Sequence, residues 1–248
     1  MAILTSIIKF TGALDNLIGY QVNGKTRVRS RPQQVRQTLN TKRAAKDFGS
    51  ASRTAAVLRH GIIKDITVRE DNEFVNRLNK AMVGVIKTDL ARPAGRRRVT
   101  TGSLRAPEGF RVNKYMDINC GYAVQRVHDG SLQVTITQPL AQFRDKVQHM
   151  QFRAIAVYPD FERGKTLQTT SEIVVLSKVQ ASDIRAFCLT IPAPHPGEAI
   201  VLLEAIACTM EKGQPVHMGY RNYNAANIIA IVPAAKKNVP GVSASGFF

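Results

Sequence analysis

Apolar and polar positions recur along this chain with two periods, one of helices and one of strands. Between residues 40 and 91 apolar side chains return every three or four positions, as on one face of a helix. Phe48, Ala51, Ala55, Leu58 and Ile62 form one such stripe, rich in alanine, so a partner helix could approach it closely. Asn40 or Thr41 can cap its start, and Gly61 stands near its expected C-terminal end. A second stripe carries Phe74, Val75, Leu78, Met82, Val85 and Ile86. Its helix starts near Asp71, whose carboxylate can cap it, and ends before Pro93. Two helices of roughly 20 residues with a short connection predict an antiparallel hairpin, because neither can bury its stripe alone. Phe48 and Leu78 are expected to meet in it.

Beyond residue 103 the pattern is that of strands, separated by Gly, Pro, Asp and Lys turns. Expected strands are 122–127, 132–137, 152–158, 173–179, 184–191, 199–210, 214–220 and 227–232. Lengths and turns of this kind favour an antiparallel sandwich over an α/β scheme. The segment 92–103, RPAGRRRVTTGS, is a basic Pro/Gly-containing linker, and 233–248 lacks any periodicity.

One further strand signal precedes the helices. Asn23-Gly24 supplies the two residues that tolerate φ > 0 in a type I′ hairpin turn. A two-residue loop there sets Val22 opposite Lys25, Tyr20 opposite Arg27 and Ile18 opposite Arg29. Paired residues share a face, so the ribbon carries Lys25, Arg27, Arg29 and, beyond it, Arg31 beside an aromatic ring. Pro32 ends the strand. Both ribbon edges are expected to be open to a neighbour's strand.

The expected fold is therefore α+β: an N-terminal β-hairpin and antiparallel helix pair, followed by an antiparallel β-sandwich. The expected division is a basic arm over 1–39, a helical hairpin over 40–91 and a linker over 92–103. A sandwich over 104–232 and a tail over 233–248 complete it.

Charge changes the picture from fold to partner. The 248 residues carry a formal net charge of +17, which points to a polyanion, an acidic protein surface or an anionic membrane. The excess is uneven: residues 1–100 hold 20 Lys/Arg against 7 Asp/Glu, leaving 15 against 11 for the remainder. The partner of that charge is expected on the N-terminal part. Cys120, Cys188 and Cys208 are widely spaced and form no CxxC, which argues for free thiols over a disulfide framework or zinc site. No apolar run approaches the ~20 residues of a membrane span. The start MAILTSIIKF lacks a basic n-region and a cleavage site, which predicts synthesis in the cytoplasm. A place in a virion or an extracellular assembly stays open.

Two segments also carry a resemblance. The run LDNLIGYQVNGKTRVRSRP contains Gly19-Tyr20, Gly24-Lys25 and Arg29-Ser30-Arg31-Pro32, and TKRAAKDFGSA follows after a polar spacer. Together they resemble the N-terminal signature of a functionally uncharacterised Bacteroidota family. GSLRAPEGFRVN, through Gly109, Phe110 and Asn113, is similar to that family's entry into its β region. The resemblance implies a hairpin, a helical segment and a C-terminal β region. It supplies no activity and no catalytic residues.

Catalytic chemistry finds little footing. His60, His128, His149, His195 and His217 are isolated, without HExxH, HxH or paired-carboxylate spacing. His60 precedes a glycine expected to end a helix and His128 sits in a turn, while Asp160 and Glu162 flank Phe161 in a charged loop. No nucleophile, base and orienting group assemble, and no catalytic residue, metal or cofactor is expected. Binding has more support. Tyr20, Lys25, Arg27, Arg29, Arg31 and Arg36 form one candidate surface, with ingredients for phosphate contact and base stacking. Lys42 and Arg43, with Lys46, crowd the start of the first helix, where the macrodipole prefers anions. Arg96, Arg97 and Arg98 add a second cluster, and Phe247 and Phe248 are candidate docking residues on the tail. The expected protein is a non-enzymatic structural subunit of a filament or phage-like particle, a homo-oligomer using its basic arm on subunits or nucleic acid. The alternative is a soluble nucleic-acid-binding protein without sequence specificity. A solvated basic surface is the plain competitor to both.

Overall fold

A computed structural model describes residues 2–3, 10–33, 36–99, 104, 107–192 and 194–235. The chain divides into two compact units, Met1–Lys42 and Arg43–Phe248. The first is a four-stranded antiparallel sheet in the order β1-β4-β3-β2. Its strands are β1 (Ala2–Ile3), β2 (Gly12–Leu14), β3 (Leu17–Val22) and β4 (Lys25–Ser30). Asn23 and Gly24 adopt φ of 50° and 73°, so the turn has the positive φ at both central positions that type I′ requires. Ile18 pairs with Arg29, Tyr20 with Arg27 and Val22 with Lys25, the register the turn implied. The expectation of two open ribbon edges is corrected. The chain pairs its own β2 with residues 17–19 and its own β1 with residues 27–28. A two-stranded ribbon is marginal alone, and these short strands extend it. Phe10 lies against Gly19 so closely that any Cβ there would collide with its carbonyl oxygen and ring.

Helix α1 (Leu39–Asp65) crosses the boundary between the units, and α2 (Phe74–Lys87) follows. Thr38, rather than Asn40 or Thr41, accepts a cap bond, from the Thr41 amide at 3.2 Å. The buried side of α1 runs from Ala51 through Thr54, Ala55 and Leu58 to Ile62. Phe48 is 56% exposed and does not meet Leu78 as expected. The stripe is buried against a sheet, and that cover begins only at Ala51. Gly61 does not end the helix. It is the point of close approach, where a Cβ would stand 2.7 Å from Val157 Cγ1. Helix α2 has 14 residues, fewer than expected, and buries Phe74, Leu78, Met82, Val85 and Ile86. Val75, one position round from Phe74, is 40% exposed, which corrects its place on the stripe.

The strands of the larger unit are β5 (Gly121–Arg126), β6 (Leu132–Thr137), β7 (His149–Asp160) and β8 (Lys165–Thr170). Then come β9 (Val174–Ser177), β10 (Ala186–Ile191), β11 (Ala199–Glu211), β12 (Gln214–His217) and β13 (Ala225–Val232). Long strands β7 and β11 pair with each other at the centre of a six-stranded sheet. On its outer side β11 pairs first with β13 and then with β12, and β7 likewise with β9 and then β8. A three-stranded sheet, β10-β6-β5, completes the β region.

Alternation along β7 and β11 assigns their side chains to two cores. Phe152, Ala154, Ala156, Val201, Leu203 and Ala205 share a core with Leu132, Val134, Ile136, Leu189 and Ile191 of the smaller sheet. Ile155, Val157, Ile200 and Leu202 share the other with the stripes of both helices. The self-contained helical hairpin is thereby corrected: both stripes are satisfied by the sheet, and the segment 92–98 lies inside the larger unit. Two elements also went unanticipated. Strand β8 has only half-buried or exposed side chains, and a six-residue helix α3 (Lys178–Asp183) cuts short the strand expected over 173–179. Its capping box, Ser177 with Gln180, was readable in the sequence.

The start of α2 is tied down by Asp71. Its carboxylate accepts the Glu73 amide at 2.8 Å, the Lys114 amide at 3.0 Å and the Arg77 guanidinium. Arg77 in turn lies over the Phe110 ring, 4.9 Å from its centroid. Burial pushes the Asp71 carboxyl up, but these hydrogen bonds and the Arg77 charge outweigh it and hold it below the ordinary carboxylate range. A depressed folded-state pKa adds stability above the unfolded value, about 3.9, that is lost as pH falls through the folded value. Asp71→Asn should therefore be less stable than wild type near neutrality. Its deficit should shrink as the pH is taken from about 4 downwards in denaturant titrations. A deficit constant with pH would refute the ionic role. For the stripes, Leu78→Ala should cost about 2–5 kcal/mol and Phe48→Ala less than about 0.5. Comparable losses at the two positions in chemical denaturation would contradict the burial described.

Candidate basic interface

The first unit presents two unlike sheet faces. Register places Ala13, Ile18, Tyr20, Val22, Lys25, Arg27 and Arg29 on one face. The Arg29 guanidinium lies over the Tyr20 ring at 5.9 Å from its centroid. Across the ribbon that is a diagonal contact between neighbours on one face. The other face carries Leu14, Leu17, Gln21, Thr26, Val28 and Ser30. Arg31 falls just past β4, with its amide donating to the Asn16 carbonyl at 2.6 Å. Arg36 and Lys42 are exposed, the latter in the first turns of α1. Tyr20, Lys25, Arg27 and Arg29 are thus brought together by strand pairing, and Arg31 continues their line. Phe247 and Phe248 lie outside the described residues.

The larger unit builds a second basic surface that the sequence showed only as separate fragments. Asp47, one turn after Arg43 in α1, accepts the Gly95 amide at 2.9 Å and the Arg97 amide at 3.3 Å through Oδ1. Its Oδ2 stands 4.0 Å from Arg97 Nη1. Just past α2, Asp89 accepts the Arg98 amide at 3.0 Å and the Arg92 guanidinium at 2.9 Å. These two donors hold the Asp89 carboxyl below its ordinary range. Gly95, at φ 89°, closes the turn, and its Cβ position is 3.1 Å from Arg43 Cα. Arg43, Arg97 and Arg92 are thus gathered around two anchoring carboxylates, with Arg96 and Arg98 exposed beside them.

Sequence reasoning named Arg43, Arg96, Arg97 and Arg98 but missed Arg92, Asp47, Asp89 and Gly95. The available signals were the Pro93-Ala94-Gly95 turn and the i, i+4 spacing of Arg43 and Asp47. Two residues of the 102–113 segment have local roles. Asn113 is fully buried and donates to the Arg221 and Asn224 carbonyls at 2.7 and 2.8 Å. Phe110 packs on Phe74 with ring centroids 5.8 Å apart.

Other reactive groups are dispersed. Burial pushes the Cys120 thiol up to about 11 and raises that of Cys208, so neither is a ready thiolate at neutral pH. His217 bonds Gln151 at 3.0 Å, and His195 accepts the Gly197 amide at 2.9 Å. Among the described residues no three His, Cys, Asp or Glu side chains group as a metal site. No described helix is long and apolar enough to cross a membrane.

Fold and surfaces together define an α+β protein with a basic surface on each compact unit. Comparison with protein-family models, curated proteins and solved structures finds no match to this chain.

The anchored loop yields one direct prediction. Gly95→Ala meets both a positive φ and a close main-chain neighbour, so it should destabilise the protein by more than about 1 kcal/mol. Denaturant unfolding measures it, and an unchanged midpoint would show that the 93–98 turn is not held against α1.

Proposed function

We propose that the protein is a non-enzymatic structural subunit of a larger assembly, of filament or phage-particle type. Its basic N-terminal unit makes contacts to neighbouring copies or to nucleic acid. The observation that carries this reading is how little is buried among the first unit's described residues. Among its described residues only Gly19 and Thr26 are buried, whereas Leu14 and Leu17, on the face opposite the arginines, are 60% and 43% exposed. A small sheet exposing apolar side chains on one face and arginines on the other gains stability from a partner. The larger unit, by contrast, has apolar cores on both faces of its main sheet. In this reading its two sheets are the sandwich layers of the subunit body, with the helices as a third layer. The tail residues Phe247 and Phe248 are docking elements in the same scheme.

A second reading is a soluble, non-sequence-specific nucleic-acid-binding protein. It is favoured by the Arg29–Tyr20 pair on the basic face, which joins phosphate-directed charge to a ring able to stack.

Sedimentation of purified protein with nuclease present separates the two. An assembly subunit should sediment at several times the size of one chain, and Leu14→Asp with Leu17→Asp should reduce it to single chains. Single chains from the wild-type protein under nuclease would refute the subunit reading. A double variant that still assembles would show that this apolar face is not the joint.

A further inference from the structure

The loop from Arg92 to Arg98 has features that charge alone does not explain. Among the described residues, Arg92, Arg97 and Arg98 meet two carboxylates, Asp47 and Asp89, and Arg43 lies against the same turn. Both carboxylates spend hydrogen-bonding capacity on main-chain amides, those of Gly95, Arg97 and Arg98. Gly95 presses the same main chain against Arg43. The backbone is therefore fixed while the side chains of Arg96 and Arg98 stay exposed, with no carboxylate partner among the described residues. Arg97 Nε is likewise buried without an acceptor there.

We propose that this anchored loop is a nucleic-acid phosphate contact of the larger unit, with Arg96 and Arg98 as the residues that reach phosphates. The inference deepens the function proposed above by assigning a partner class to a surface of the larger unit. A guanidinium presents a planar fork of donors that matches phosphate oxygens two at a time. Holding the loop in place beforehand lowers the ordering cost of binding. An acidic protein is the poorer occupant. Stable protein interfaces have a dry, apolar centre. Leu90 is the one large apolar side chain between residues 90 and 98, the others being Ala91, Pro93, Ala94, Gly95 and arginines. Contacts to phosphates carry position and not sequence.

The test uses the full chain, freed of nucleic acid, and mixed-sequence duplex DNA titrated at several salt concentrations. Arg96→Ala with Arg98→Ala removes two exposed side chains. It should lower the slope of log affinity against log salt by about 2, equally for unrelated sequences. Asp47→Ala removes a negative charge, so attraction by net charge alone predicts tighter binding. An anchored loop predicts the reverse, a several-fold loss. Absence of DNA binding by the wild type, or a double variant with the wild-type slope, would overturn the inference. So would tighter binding by Asp47→Ala. The same double variant sedimented under nuclease distinguishes the two proposals. Loss of the large species with an unchanged DNA slope would make the loop a subunit contact and overturn the inference alone. A wild type that sediments as single chains, with the slope lowered in the variant, would overturn the assembly reading and support the phosphate contact.

Discussion

The larger unit depends on one buried ion pair between facing residues of its two central strands. Arg153 of β7 and Glu204 of β11 are register partners on the helix-covered face of the main sheet. Glu204 is fully buried, and its Oε1 accepts the amides of Thr67 and Val68 at 2.6 and 2.9 Å. Its Oε2 accepts the Arg153 guanidinium, which also donates to the Asp65 carbonyl and Thr67 Oγ1. The carboxylate thus meets three sets of donors, and the guanidinium satisfies a carbonyl at the end of α1. A buried charge costs several kcal/mol in lost hydration, and only geometry this complete offsets it. Removing one partner would leave the other charged and dry. The pair fixes where α1 stops and where the connection to α2 lies on the sheet.

The basic loop inherits its place from that attachment. Because α1 is seated through Ala51, Ala55, Leu58, Gly61 and Ile62, its preceding turn presents Arg43 and Asp47 at a set position. Because α2 is seated through Leu78, Met82, Val85 and Ile86, Asp89 emerges just past its end. The two carboxylates then meet the 95–98 backbone, one from α1 and one from just past α2. An exposed feature is thereby positioned by apolar packing, which is how a surface loop can be rigid without a core of its own.

Much of this was visible in the residue pattern, for reasons that are local. Asn23-Gly24 set the hairpin register because few residue pairs accept φ > 0 at both positions. The eight strands expected in the C-terminal half are all present, although 173–179 ends early at α3 and 214–220 ends at His217. Both stripes identified helices. What failed was the assignment of partners. Phe48 has the spacing of a core residue and is exposed, while Gly61 has the look of a helix end and lies inside the helix against Val157. Strand β8, with half-buried or exposed side chains, carries no apolar alternation for a period-based reading to find.

By itself the sequence determined most element types (β8 and α3 excepted), the hairpin face that gathers Tyr20, Lys25, Arg27 and Arg29, and the α+β class. Each of these rests on backbone preference or periodicity within a few residues. Tertiary structure decided that the helices cover a sheet instead of each other, and that β7 and β11 lie at its centre. It also decided that Asp47 and Asp89 gather arginines from positions 43, 92, 97 and 98. Periodicity states which face of an element avoids water, but not which other element will cover it. That choice belongs to contacts between residues about 50 or more positions apart, such as Asp47 with Gly95 and Arg153 with Glu204.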